Sequence, residues 1–161
     1  MRPSRLLVLL PAVAFTACLN GTETISTPQG TPIDCATLAT DLTGAEPTLT
    51  TTASGLKMRD QTVGTGPAAA FGTTVRIHYS GCLTTGAKFD ENNDADPRGP
   101  LQFVVGDTTI IAGFNEGIIG QKVGGRRQLV IPPALAYKDK ANGPIPPNST
   151  LIFTIDLVAA Q

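Results

Sequence analysis

One stretch, Ile110–Val123 (IIAGFNEGIIGQKV), carries a helical period in a chain otherwise written in strands and turns. Phe114 and Ile118 stand four apart, with Ile111 and Gln121 flanking the same side. Gly117 and Gly120 make this helix too weak to stand alone, and Gly124-Gly125 ends it. Such a helix forms only if an apolar surface is laid against it, and the flanking segments supply one. Leu56 and Met58 alternate with Lys57 and Arg59 in an opening strand, and Gly72–Ser80 forms the next. Leu101, Phe103 and Val105 share one face of a short strand. In Arg126–Ile131, Leu129 and Ile131 oppose Gln128 and Val130. Leu151, Phe153, Ile155 and Leu157 alternate with Ile152, Thr154, Asp156 and Val158 in the longest strand. The expected fold class is α+β: an antiparallel sheet, one short helix packed on its apolar face, and long loops.

Composition agrees with this reading. Of 161 residues, 17 are Gly and 13 Pro, while charged residues make up 16%, a balance that suits a turn-rich β domain better than a helical bundle. The formal net charge of −1 leaves no basic footprint for nucleic acid. His78 is the only histidine, so no cluster with metal-ligand spacing is expected.

The richest stretch chemically is the hairpin Val75–Asp90 (VRIHYSGCLTTGAKFD). Val75, Ile77 and Tyr79 share a face opposite Arg76 and His78, and Thr84-Thr85-Gly86 supplies the turn. Phe89 and Asp90 follow, so a phenol, a phenyl ring and a carboxylate can gather around one hollow. His78 is expected to face outward, and the Arg126-Arg127 pair to be a solvated strand end. Asp90 either serves the hollow or bridges to Arg98 in the polar loop Asn92–Pro100.

The chain opens as an export signal. Arg2 and Arg5 precede an apolar run, Leu6–Ala17, too short to span a bilayer. Phe15-Thr16-Ala17-Cys18 resembles the lipobox of bacterial lipoproteins, with phenylalanine where leucine is usual. Residues 1–17 are thus expected to be removed and Cys18 to be acylated, anchoring the protein to the bacterial cell envelope on its periplasmic side or at the cell surface; an ordinary cleavable signal is the alternative. Residues 18–54, heavy in Thr, Gly and Pro up to Ser54 and without Lys or Arg, read as a tether. In an exported protein Cys35 and Cys82 favour a disulfide over two buried free thiols.

The domain, residues 55–161, resembles the FKBP-type peptidyl-prolyl cis-trans isomerases. Val75–Asp90 is similar to their VHYTG…G-x-x-FD signature, and Phe103-Val104-Val105-Gly106 with Ile110-Ile111-Ala112-Gly113-Phe114 to F-x-x-G…V-I-x-G-W. Val123–Arg126 is similar to V-G-x-R, and Ile145–Phe153 to I-P-P-x-x-x-L-x-F. The resemblance implies a curved antiparallel sheet of five to six strands wrapped around one short helix. It further implies catalytic roles for Tyr79, Phe89, Asp90, Tyr137 and Phe153, and substrate binding by Leu101, Ile110, Ile111, Phe114 and Ile145. The implied partners are proline-containing polypeptides and macrolide inhibitors of the rapamycin type, with no cofactor. Three positions depart from the pattern. Phe114 replaces the floor tryptophan, which should deepen the site and weaken macrolides, and Leu101 replaces an aromatic wall. Lys138-Asp139-Lys140 follows Tyr137 where a glycine is usual, in a loop about one residue short. Phe103 and Ile118 read as plain core. The alternative to an isomerase is a module that holds proline segments, or a chaperone, with little turnover.

Overall fold

The computed structural model describes residues 35–36 and 49–161. The signal, Cys18 and most of the tether lie outside the described residues. Seven strands form one antiparallel sheet: β1 (Thr50–Thr51), β2 (Lys57–Thr62), β3 (Thr74–Leu83), β4 (Lys88–Asn92), β5 (Leu101–Val104), β6 (Arg126–Ile131) and β7 (Leu151–Ala160). Their order is β1-β2-β6-β7-β3-β4, with β5 pairing β3. The outer edge of β3 is therefore shared: Thr74–Ile77 bonds β5, and Tyr79–Cys82 bonds β4. Thr50 and Thr51 pair with Met58 and Lys57, so the last residues of the expected tether belong to the sheet.

Alternation sorts the strands as expected. Leu129 and Ile131 on β6, Leu151, Phe153, Ile155 and Leu157 on β7, and Val75 and Ile77 on β3 all enter one core beneath the helix. Register shifts at Asp60/Thr62, Arg76/Ile77 and Gly81/Cys82 bend and twist the strands around that core. Ile152, Thr154, Val130 and Gln128 point the other way, yet they too are buried. Cys82 stands opposite Ile152 on that second face, and it is bonded to Cys35 across 47 residues.

The helix α1 covers only Ala112–Ile118, shorter than the periodic stretch Ile110–Val123. Ile119 turns extended (ψ 132°) and Gly120 takes a left-handed φ of +78°, which breaks the ladder. The chain then runs against the opening loop, where Gly120 N–H donates to Ala69 O at 2.8 Å and Val123 N–H to Pro67 O at 3.0 Å. Buried Gln121 donates from Nε2 to Ile155 O (2.9 Å) and Gly125 O (3.1 Å), tying this crossing to β7.

Arg127 corrects the expectation of a solvated strand end. It is buried, and its Nη1 donates to Gly117 O (2.9 Å) and Ile119 O (3.0 Å) at the C-terminal end of α1. A cation placed there answers the carbonyls that the helix leaves unpaired. Its other face holds Asp60 at 2.6 and 3.0 Å. Arg126 instead pairs with Asp156 on the opposite face at 2.6 Å.

The glycines that weaken α1 are what bring it onto the sheet. A Cβ at Gly113 would strike Ile131 Cγ2, and one at Gly117 would strike Leu129 Cδ1. In an exposed helix, alanine would be better than glycine by about 1 kcal/mol. Here Gly117→Ala should instead destabilise the fold by about 1–3 kcal/mol through overpacking. A lower urea midpoint at unchanged m-value checks this.

Candidate active site

The hairpin β3–β4 sets out the first residues. Gly81 pairs with Asp90, but the next pair is Cys82 with Lys88, leaving Phe89 as the extra residue of a bulge. A bulge lets consecutive side chains turn to one face of the sheet. Asp90 does so, because its Oδ2 accepts the Tyr79 hydroxyl at 2.7 Å. Phe89 does so as well: its ring lies where a Gly81 side chain would stand, 2.7 Å from an ideal Cβ. Phe153 approaches the same point at 2.9 Å, so only glycine leaves room for both rings.

Five aromatic residues then touch in sequence, mostly edge to face. Phe89 meets Phe153 at 5.5 Å between centroids and 85°, and Phe153 meets Phe114 at 5.1 Å and 89°. Tyr79 contacts Phe114 (6.2 Å) and Phe153 (6.1 Å), and Phe103 lies 6.0 Å from Phe114. Phe114, on α1, is the member that α1 contributes, and it is buried, as are Phe153 and Phe103. Leu101, Ile110, Ile111 and Tyr137 pack half-buried against this group, and Ile145 is buried within it. Every residue expected at the site is thus part of one apolar cluster except Asp90, which joins through Tyr79.

Burial first, and then the hydrogen bond and negative charge of Asp90, push the Tyr79 hydroxyl well above the usual tyrosine range. Tyr79 is therefore a neutral donor, not a base. Arg98 does not bridge to Asp90. It clasps Asp96, with Nε to Oδ1 at 2.9 Å and Nη2 to Oδ2 at 2.5 Å, and these bonds hold the Asp96 carboxyl well below the usual range. His78 lies on the other side of β3, but it does not simply face solvent. Its Nδ1 meets Asn92 Oδ1 at 3.1 Å and its Nε2 meets Asp94 Oδ1 at 2.8 Å.

Among the donors at this cluster, the Ile111 N–H and the Tyr137 hydroxyl have no protein acceptor among the described residues. Tyr137 follows a 3₁₀ turn, Pro133–Leu135, at the start of the long loop. Lys138 then adopts φ +58°, the left-handed conformation for which a glycine would be usual. A residue with a Cβ pays about 1–2 kcal/mol for that conformation. The turn holds because Lys138 N–H donates to Pro133 O (2.9 Å) and Lys138 O accepts from Asn148 N–H (2.7 Å). A tight turn at Asn142–Ile145, closed by hydrogen bonds in both directions, returns Ile145 to the cluster.

Some of this was beyond sequence reasoning. Asn115, half-buried on α1, carried no periodic signal, yet its side chain makes three hydrogen bonds to the loop before the helix. The need for glycine at position 81 is visible only once the bulge is known.

The sequence profile of FKBP-type peptidyl-prolyl cis-trans isomerases matches residues 66–158, a span that contains all ten of these residues. The chain is similar to an FK506-binding protein from Streptomyces anulatus, 45% identical over 122 residues, covering 74% of this chain and 93% of that one. It is 43% identical over 106 residues to a 46 kDa FK506-binding nuclear protein from Spodoptera frugiperda, covering 65% of this chain but only 25% of that protein. The solved structure of FkpA from Escherichia coli matches with a TM-score of 0.65 at 34% identity, covering 79% of this chain and 57% of that one.

Proposed function

The chain belongs to the FKBP-type peptidyl-prolyl cis-trans isomerase family, and from that premise we propose that it accelerates X–Pro rotation in exported polypeptides by holding the twisted amide without covalent chemistry. The observation that carries the reading is the pair of unspent donors, Ile111 N–H and Tyr137 hydroxyl, beside the rings of Phe89, Phe114 and Phe153.

Rotation about a peptide bond faces a barrier of roughly 18–20 kcal/mol because the amide has partial double-bond character. Twisting ends the resonance, makes the nitrogen more pyramidal and moves charge off the carbonyl oxygen. Apolar surroundings favour that state over the strongly solvated planar amide. A 10⁴-fold acceleration requires only about 5.5 kcal/mol of differential binding. Phe89, Phe114, Phe153 and Leu101 grip the prolyl ring, with Ile110 and Ile145 closing its edges. Ile111 N–H and Tyr137 donate to the substrate carbonyls that flank the rotating bond. Asp90 orients Tyr79, whose hydroxyl it accepts at 2.7 Å, or meets the polarised carbonyl. Macrolides of the FK506 type compete for the same surface, weakened by the absence of an indole at Phe114.

Leu101 in an aromatic position and the left-handed Lys138 support a second reading, a proline-segment holdase with little turnover. A protease-coupled isomerisation assay on the full chain separates the two. The parent should exceed the uncatalysed rate, and Phe89→Ala and Asp90→Leu should each lower kcat/KM at least about tenfold, or about 1.4 kcal/mol. A parent rate no faster than the uncatalysed one would sink the enzyme reading.

The signal-like residues 1–17 and Cys18 support a lipid-anchored protein of the bacterial envelope. Metabolic labelling with palmitate should mark the parent and not Cys18→Ala; equal labelling of both would refute the anchor.

A further inference from the structure

We infer that Asn115 is the positioning residue of this site: its side-chain amide aims the Ile111 N–H at the substrate. The inference rests on the isomerase reading above and adds what holds the donor in place. The segment from Gly106 to Ile111 wraps around the Asn115 amide. Oδ1 accepts from Gly106 N–H at 2.8 Å, and Nδ2 donates to Asp107 O at 2.9 Å and Ile110 O at 3.2 Å. The partners are one N–H and two carbonyls, so the orientation of the amide has a single solution.

The bond to Ile110 O matters most. Ile110 C=O and Ile111 N–H belong to one planar trans peptide, in which the two groups point in opposite directions. Drawing the carbonyl inward to Nδ2 turns the N–H the other way, where no described residue accepts it. A donor on the carbonyl also polarises the peptide and strengthens its N–H as a donor. The rest of the loop lacks freedom to undo this. Ile110 N–H donates to Asp107 O (3.1 Å), and Ile111 O accepts from Phe114 N–H (3.0 Å) and Asn115 N–H (3.2 Å). Asp107 Oδ1 accepts both the N–H and the hydroxyl of Thr109 at 2.9 Å.

Asn115→Asp tests this with the smallest change in shape. It keeps an acceptor for Gly106 N–H but sets oxygen against the carbonyls of Asp107 and Ile110, so the Ile110–Ile111 peptide should rotate. The probe is an Ala-Leu-Pro-Phe peptide titrated into the ¹⁵N-labelled full chain, with turnover measured in parallel. In the parent, the Ile111 amide resonance should move downfield with those of the aromatic cluster. In Asn115→Asp, Tyr79 and Phe114 should still respond to peptide while the Ile111 response is lost, and kcat/KM should fall at least tenfold. Asn115→Leu, which removes the amide without adding charge, should behave alike and guards against a folding defect peculiar to the aspartate. A parent in which Tyr79 and Phe114 respond but Ile111 does not would overturn the inference. So would variants that keep both the Ile111 response and kcat/KM within twofold of the parent. A titration that moves no resonance of the cluster sinks the isomerase reading itself, and this inference with it.

Discussion

The site depends on the missing side chain at Gly81, set against a bulge at Phe89. On a regular strand Phe89 and Asp90 would point to opposite faces, and only one could join Tyr79. The extra residue turns both to the same face, and the bare Gly81 leaves the space into which the Phe89 and Phe153 rings settle. The Tyr79–Asp90 hydrogen bond and the run of aromatic contacts from Phe89 to Phe103 follow from that one accommodation. The carboxylate thereby accepts the phenol at 2.7 Å and is held at the edge of the aromatic group. Beside it, a ligand would meet apolar surface and donors with no protein acceptor among the described residues, Ile111 N–H and the Tyr137 hydroxyl among them, a set suited to holding a distorted amide and not to attacking it.

The opposite wall is made by the same device. Gly113 and Gly117 let α1 lie directly on Ile131 and Leu129, which seats Phe114 against Phe153. A helix of seven residues does not stand by propensity, so packing below and Arg127 at its end must hold it. Loss of local stability is thus exchanged for close approach at both walls. Asn115 adds a third element, fixing the loop at the start of α1 from inside the turn.

Strand pattern and order of motifs were legible because alternation depends only on which face is apolar, and that face proved common to β3, β6 and β7. The ends of α1 were not, since the apolar period continues past Ile118 while the backbone does not; Gly120 and the bonds to Ala69 and Pro67 decide the matter. Arg127 looked like a solvated cation because sequence cannot show that a helix terminus arrives above it. His78 was assigned correctly to the far side of β3, but its partners are Asn92 at the end of β4 and Asp94 in the loop that follows. The expected site residues came from a family resemblance; periodicity alone would have left Tyr79 and Phe153 as core. Lys138 shows the limit of the pattern, since the backbone keeps a glycine-like conformation where the glycine is gone.

The account turns on whether ring placement at Gly81 makes the catalyst. Gly81→Ala changes nothing that could act as acid, base or nucleophile, yet its Cβ would lie 2.7 Å from Phe89 and 2.9 Å from Phe153. Exchange NMR of an X–Pro peptide, recorded with the parent and with this variant, reads the cis–trans rate directly. The expected result is accelerated exchange with the parent and a return toward the uncatalysed rate with a variant that still unfolds cooperatively. Equal acceleration by both proteins would contradict the account.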